Sequence, residues 1–233
     1  MIDIKPIAKS YIDELKKTAD VIDLDDLQKI ANVLLTAYQK DKRVFILGNG
    51  GSASTATHMA CDLGKGTLKN VYNPKEKRFQ VISLTDNVAT MTAFANDLSY
   101  DDMFVQQLHN LVGKGDVVIG ITGSGNTPNV IKALMYAKSK GAIIVGLLGY
   151  HHGGKAKEFV DYDITIQSAS YGIIEDLHLT LDHALTTCLS YMKDQIDNGK
   201  RKAKSQNNQP KKKVKNLKTS HIATEWTERS ARR

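Results

Sequence analysis

Two cysteines in 233 residues, Cys61 and Cys188, are too few to frame a disulfide-stapled fold. Both sit at apolar helical positions, where a lone cysteine is expected to pack into the core as a small hydrophobe. Long apolar runs are missing as well. The longest, Ala142 to Leu148, contains a glycine and falls far short of the roughly 20 residues that a membrane-spanning helix needs. The opening stretch, Met1-Ile-Asp-Ile-Lys-Pro6, mixes charge with apolar residues and shows no secretory hydrophobic region. A cytoplasmic protein without a membrane partner is therefore expected. No internal repeat of solenoid type appears.

What is present suits a globular body. Hydrophobic residues make up 41% and charged residues 24%, a balance that rules out wholesale disorder. The length fits one domain of ordinary size, or one domain with an appendage. A net charge of +7 would suggest a nucleic-acid binder were it spread over the chain. It is not. Twelve of the 32 basic residues but only two of the 25 acidic ones, Glu225 and Glu228, lie from Lys200 onward, so the preceding body carries about −3.

The first forty residues read as two helices, the first with Ile7, Tyr11 and Leu15 at helical spacing, the second opening at Leu24 and running through Leu35. Five short apolar segments follow: Val44–Leu47, Val81–Leu84, Val117–Ile121, Ile143–Leu147 and Tyr162–Ile166. Helical stretches separate them, at about Ser52–Leu63, Val88–Ala95, Asp102–Val112 and Thr127–Lys140. Alternating strands and helices with continuous apolar strands predict a doubly wound, mostly parallel five-stranded α/β sheet preceded by two helices. A last helix, Ile173 to Met192, carries Leu177, Leu181, Leu185 and Leu189 as a packing stripe. The periodicity stops after Asn198-Gly199. The expected domain covers 1–197, followed by a basic tail over 198–233 that is solvated disorder or a holder of an anionic partner.

Two loops carry candidate chemistry. Gly48-Asn-Gly-Gly-Ser52 lies between a strand and a helix, where glycines admit close approach and free N–H groups favour an anion. A dinucleotide site would want an acid about twenty residues on, yet position 68 is Leu and the second strand ends too late, at Leu84-Thr85-Asp86. The second loop, Thr122-Gly-Ser-Gly-Asn-Thr127, again joins strand to helix and offers three hydroxyls. Neither loop has the lysine of a nucleoside triphosphate site. Two such loops in one sheet point to a phosphorylated ligand and to no nucleotide cofactor. Beyond them, His58 and Asp62 share a helix face at i, i+4, and Glu175 and His183 lie on the last helix.

These motifs, together with Asn96-Asp97, come in the order and spacing of the sugar isomerase (SIS) domain family, which the chain resembles up to about Met192. Within that family the phosphoheptose isomerases are the nearest resemblance. The resemblance implies an aldose–ketose isomerase acting on a heptose 7-phosphate, sedoheptulose 7-phosphate above all. It implies Asp62 and His183 as the catalytic acid–base pair. It places phosphate on Gly50, Gly51, Ser52, Thr122, Gly123, Ser124 and Thr127, and the sugar on Asn49, Asn96, Asp97 and Glu175. A zinc site at His58, Asp62, Glu175 and His183 and a homotetramer with its site at a subunit boundary are implied too. The chain departs from the family pattern at Asp62, where Glu is usual, at Glu175, where Gln is usual, and at Gly172, where an acid is common. Those departures leave a second reading open, a non-catalytic phosphosugar-binding adaptor of the kind that associates with a replication initiator.

Overall fold

The computed structural model describes residues 1–150 and 152–206 of the chain. One compact unit comprises Met1–Gln195, and a second begins at Ile196. Of the tail expected over 198–233, positions 207–233 lie outside the described residues.

The first unit opens with α1 (Lys5–Ala19) and α2 (Leu24–Gln39). Pro6 stands in the first turn of α1, where its missing N–H costs nothing. Asp23 caps α2 by accepting from the amides of Asp25 and Asp26. The sheet follows: β1 (Arg43–Gly48), β2 (Gln80–Ser83), β3 (Val117–Thr122), β4 (Ile143–Leu148) and β5 (Tyr162–Thr165). Its order is β2-β1-β3-β4-β5 and every pair is parallel. Between the strands run α3 (Gly51–Cys61), α4 (Val88–Asp97), α5 (Met103–Leu111) and α6 (Pro128–Ser139). The chain then enters α7 (Tyr171–Gln206), which continues past Met192, where the apolar stripe stops. Lys, Arg, Gln and Ala, which dominate the sequence there, are good helix formers and carry it on where the apolar spacing has stopped.

Both faces of the sheet are covered, which is why its strands read as unbroken apolar runs. Val44, Ile46, Val117 and Ile119 point to one face, against Ile30 and Leu34 of α2, Met59 of α3 and Leu177, Leu181 and Leu185 of α7. Phe45, Leu47 and Val118 point to the other, against Phe104 and Leu108 of α5 and Leu134 of α6. Fully burying each such side chain contributes roughly 1.5–3 kcal/mol. α1 is different: Ile7 is 74% exposed and Ile12 48%, and only Thr18 of that helix is buried. The two cysteines also depart from expectation, for both are exposed. Cys61 closes α3 beside an open cavity at the β2 edge, and Cys188 lies on the outer side of α7, next to the inward Leu189.

The strand order reverses between β1 and β3, so the crevice beyond their carboxyl ends is where a ligand of an open α/β sheet binds. Both candidate loops leave from those two ends.

Candidate active site

The first loop turns at Gly50, whose φ of +57° suits glycine, and enters α3 at Gly51. Gly48 needs its missing side chain too, because a Cβ there would come within 2.8 Å of the Ile121 carbonyl on β3. The two loops are thereby pressed together. In the second, the Thr122 hydroxyl accepts from the Gly125 amide at 3.1 Å, the Ser124 hydroxyl accepts from the Asn126 amide at 3.2 Å, and Thr127 lies 3.2–3.3 Å from both hydroxyls. A cavity of about 160 Å³ opens between the loops. Asn49, Ser52, Thr122, Gly123, Ser124, Thr127 and Glu175 all line it, joined by Tyr171. Glu175 reaches over Gly51, filling the space a side chain there would need.

A second centre forms where α3 meets α7. His58 Nε2 lies 3.0 Å from His183 Nε2, and the rings meet edge to face. Asp62 Oδ2 stands 3.5 Å from His58 Nε2 and 3.8 Å from His183 Nε2. Asp62 begins a π-helical turn, Asp62–Gly66, that continues α3 with a wider bore. That turn is anchored by Lys193, a buried lysine of α7 whose ammonium donates to the Thr67 carbonyl at 2.8 Å and stands over the Tyr38 and Phe79 rings.

A phosphate-sized, hydroxyl-lined cavity at a sheet switch point, with an imidazole–carboxylate cluster on the adjoining helices, is a combination to compare with known proteins. The family model described as "SIS domain" matches residues 10–149. The phosphoheptose isomerase of Helicobacter pylori is 34% identical over 77% of this chain and 90% of its own length. The phosphoheptose isomerase of Aliarcobacter butzleri is 32% identical over 77% of this chain and 93% of its length. The chain belongs to the SIS domain family. Among solved structures, the phosphoheptose isomerase of Neisseria gonorrhoeae superposes with a TM-score of 0.74 at 26% identity, covering 81% of this chain and all of that one.

Within this SIS domain the structure brings His58, Asp62 and His183 together, and leaves Glu175 out of that group. Glu175, expected as the fourth member of that set, lies over Gly51 in this structure. Eight residues separate Glu175 from His183, about 12 Å along a regular helix, and Glu175 serves the loop cavity instead. The fourth group at the imidazoles is Asp182. Asp182 is wholly buried, and neither carboxylate oxygen has a hydrogen-bond partner. Burial, and after it the Asp62 charge, push its pKa up to about 7. The Thr186 hydroxyl tempers the rise but makes no hydrogen bond of good geometry.

Asn96 and Asp97 reach neither centre within one chain. They end α4, both exposed, with Asn96 donating to Asp97 at 2.9 Å. His178 is buried, its Nε2 lies 2.9 Å from the Leu148 carbonyl, and burial pulls its pKa down to about 4.

Two residues escaped sequence reasoning. Asn129, fully buried on α6, exchanges amide hydrogen bonds with Asn49 at 2.9 and 3.2 Å and so ties the first loop to the helix after the second. Its place directly after Thr127-Pro128 was the available signal. At Gly172, where the family commonly has an acid, the Tyr11 hydroxyl fills the space, 2.9 Å from where a Cβ would stand. Tyr11 donates to Asp176 at 2.7 Å, and that bond pushes its pKa up to about 12. Nothing in the local sequence links position 11 to position 172.

Proposed function

We propose that the chain is an aldose–ketose isomerase that converts sedoheptulose 7-phosphate into a manno-heptose 7-phosphate. The observation that supports this most is the pairing of the two centres: a cavity that fits a phosphate and, on the helices flanking it, a carboxylate poised beside two imidazoles. The names of the curated relatives point the same way.

The phosphate would be held by the amides of Gly50–Ser52 and by the hydroxyls of Ser52, Thr122, Ser124 and Thr127. Hydrogen bonds to a charged group contribute about 1.5–3 kcal/mol each, and the start of α3 adds its dipole. Asn49 and Glu175, on the same cavity wall, would take sugar hydroxyls, with Asn96 and Asp97 assigned to the sugar by resemblance. Isomerisation moves a proton between C1 and C2. Asp62 removes it from C1 of the ketose while the electron pair shifts to the C2 oxygen, which His183 protonates to give an enediol. The C1 hydroxyl then returns its proton to the deprotonated His183 as the aldehyde forms, and the carboxylic acid of Asp62 returns a proton to C2, restoring both groups. His183 suits this exchange because imidazole gains and loses a proton near neutrality. His58, Asp62 and His183 form a donor set that fits a zinc-type divalent cation, which when bound would polarise the sugar's carbonyl oxygen.

We infer also that the protein is a homo-oligomer, of dihedral tetramer type. The uncovered stripe of α1 supports this, as does the exposure of Asn96 and Asp97, which leaves them accessible to a neighbouring subunit's site.

The test is incubation of the full chain with sedoheptulose 7-phosphate and NMR of the products, with and without zinc. Appearance of the aldose signal is expected; an unchanged ketose spectrum under both conditions overturns the reading.

A further inference from the structure

We propose that Asp182, rather than Glu175, is the second carboxylate of the metal centre in this chain, so that a zinc-type divalent cation is held by His58, Asp62, Asp182 and His183. One donor atom from each of the four lies within 4.8 Å of the others. Tetrahedral ligands at about 2.0–2.1 Å from zinc stand about 3.3 Å apart, so small side-chain rotations close the group around an ion. Two nitrogens of the set are already 3.0 Å from each other, with the Asp62 oxygen 3.5 and 3.8 Å away.

Asp182 supplies the observation that an acidic cluster alone would lack. It has no exposed surface, and both of its oxygens are without a hydrogen-bond partner. A carboxylate buried in that state is expensive, and a second carboxylate beside it adds repulsion. A divalent cation removes both costs at once. The charges match, because two aspartates and two neutral imidazoles balance a 2+ ion. The topology matches as well. His58 and Asp62 come from successive turns at the end of α3, and Asp182 and His183 from one turn of α7, so two helices offer two ligands each. Glu175 is committed elsewhere, over Gly51 in the phosphate cavity. The short Asp62, where the family usually has the longer Glu, leaves room for the extra carboxylate.

This ligand set rests on the same centre as the isomerase reading, yet zinc uptake is measured without turnover, so the two fail separately. The experiment is zinc titration by calorimetry on chelator-stripped full-length protein, with cobalt(II) visible absorption as a second readout. Wild type should bind one ion per chain with intense tetrahedral cobalt bands. Asp182→Asn should weaken binding about tenfold or more, at least the scale seen when an outer partner of a ligand is lost, and should dim those bands. Its metal-free form should melt no lower than metal-free wild type, because an unpaired buried charge has gone. Glu175→Ala, which removes any ligand atom at that position, should bind zinc as wild type does. If Asp182→Asn does not fold, Asp182→Leu carries the same comparison in a side chain suited to the core. Unchanged affinity in the Asp182 variants, loss of affinity in Glu175→Ala, or no uptake by wild type would each overturn the proposal. Turnover without zinc uptake sinks the metal centre and spares the isomerase; zinc uptake that depends on Asp182 without turnover does the reverse.

Discussion

Ser124 and His178 show how differently one hydroxyl and one imidazole enter the balance. Ser124 lines the cavity between the two loops, with its hydroxyl already oriented by the Asn126 amide. Ser124→Ala should therefore weaken sugar-phosphate binding by about 1.5–3 kcal/mol, or roughly tenfold to a hundredfold, with the fold intact; isothermal calorimetry reads this directly. His183→Ala and Asp62→Ala should each lower kcat by about a hundred- to ten-thousandfold while ligand still binds, as stopped assays with sedoheptulose 7-phosphate would show. His178 acts on stability instead. Its folded pKa of about 4 lies below the ordinary value of 6.5. The unfolded chain thus takes up the proton first, so stability is full above pH 6.5 and falls as pH drops toward 4. In His178→Gln this loss should vanish, and the difference between the two denaturation profiles over that window measures it. At this scale the sequence is legible where chemistry is local. The hydroxyls of Thr122, Ser124 and Thr127 announce themselves between two glycines. Which of the neighbours Asp182 and His183 turns inward depends on the helix's rotation about its axis, and the mutual bond of Asn49 and Asn129 joins residues 80 apart. Neither shows in a local pattern.

The π-helical turn at Asp62–Gly66 is the element on which the centre depends. It carries Asp62 off the end of α3, and Lys193 holds its far side through Thr67. Lys193→Met should cost about 1–3 kcal/mol of stability, because it leaves a buried carbonyl unpaired. It should also lower kcat more than it raises KM, since it releases the turn that positions Asp62 and not the two loops that line the cavity. Urea denaturation and steady-state kinetics on one preparation separate the two effects. Strands were the most legible elements, because burial on both faces writes them as runs of Val, Ile and Leu. The parallel sheet and its two loops follow from those runs. The π turn left no such mark, since five residues of widened helix have the same composition as a helix end. The full reach of α7 was hidden for a related reason: helix-forming polar residues continue it without an apolar stripe.

For the whole molecule, the exposed stripe of α1 carries the expectation of assembly. Light scattering at micromolar concentration should give the mass of four chains, and Ile7→Glu with Ile12→Glu should shift it downward. Removing residues 207–233 should leave isomerase activity within about twofold, since every residue of both centres precedes Lys193. Should that truncation also abolish salt-sensitive retention on heparin, the tail is the holder of an anionic partner. The sequence separated this basic stretch from a mildly acidic body by charge counting alone, whereas the exposure of the α1 stripe depends on how the helix packs and shows only in the structure. The distance between the two imidazoles along the chain has one more consequence. His58 and His183 are 125 residues apart. At a ribosomal pace of about 5–20 residues per second, roughly 6–25 s pass between the synthesis of one and the other. A nascent chain stalled after Thr127 has both loops of the cavity, yet it still lacks Glu175 on the cavity wall and the imidazole of His183. The sheet face packed by α2 and α3 also lacks the rest of its cover until the leucines of α7 arrive. Such a product is silent as an enzyme and sticky as a polymer, which makes the last helix the point at which protein quality control has most to gain by waiting.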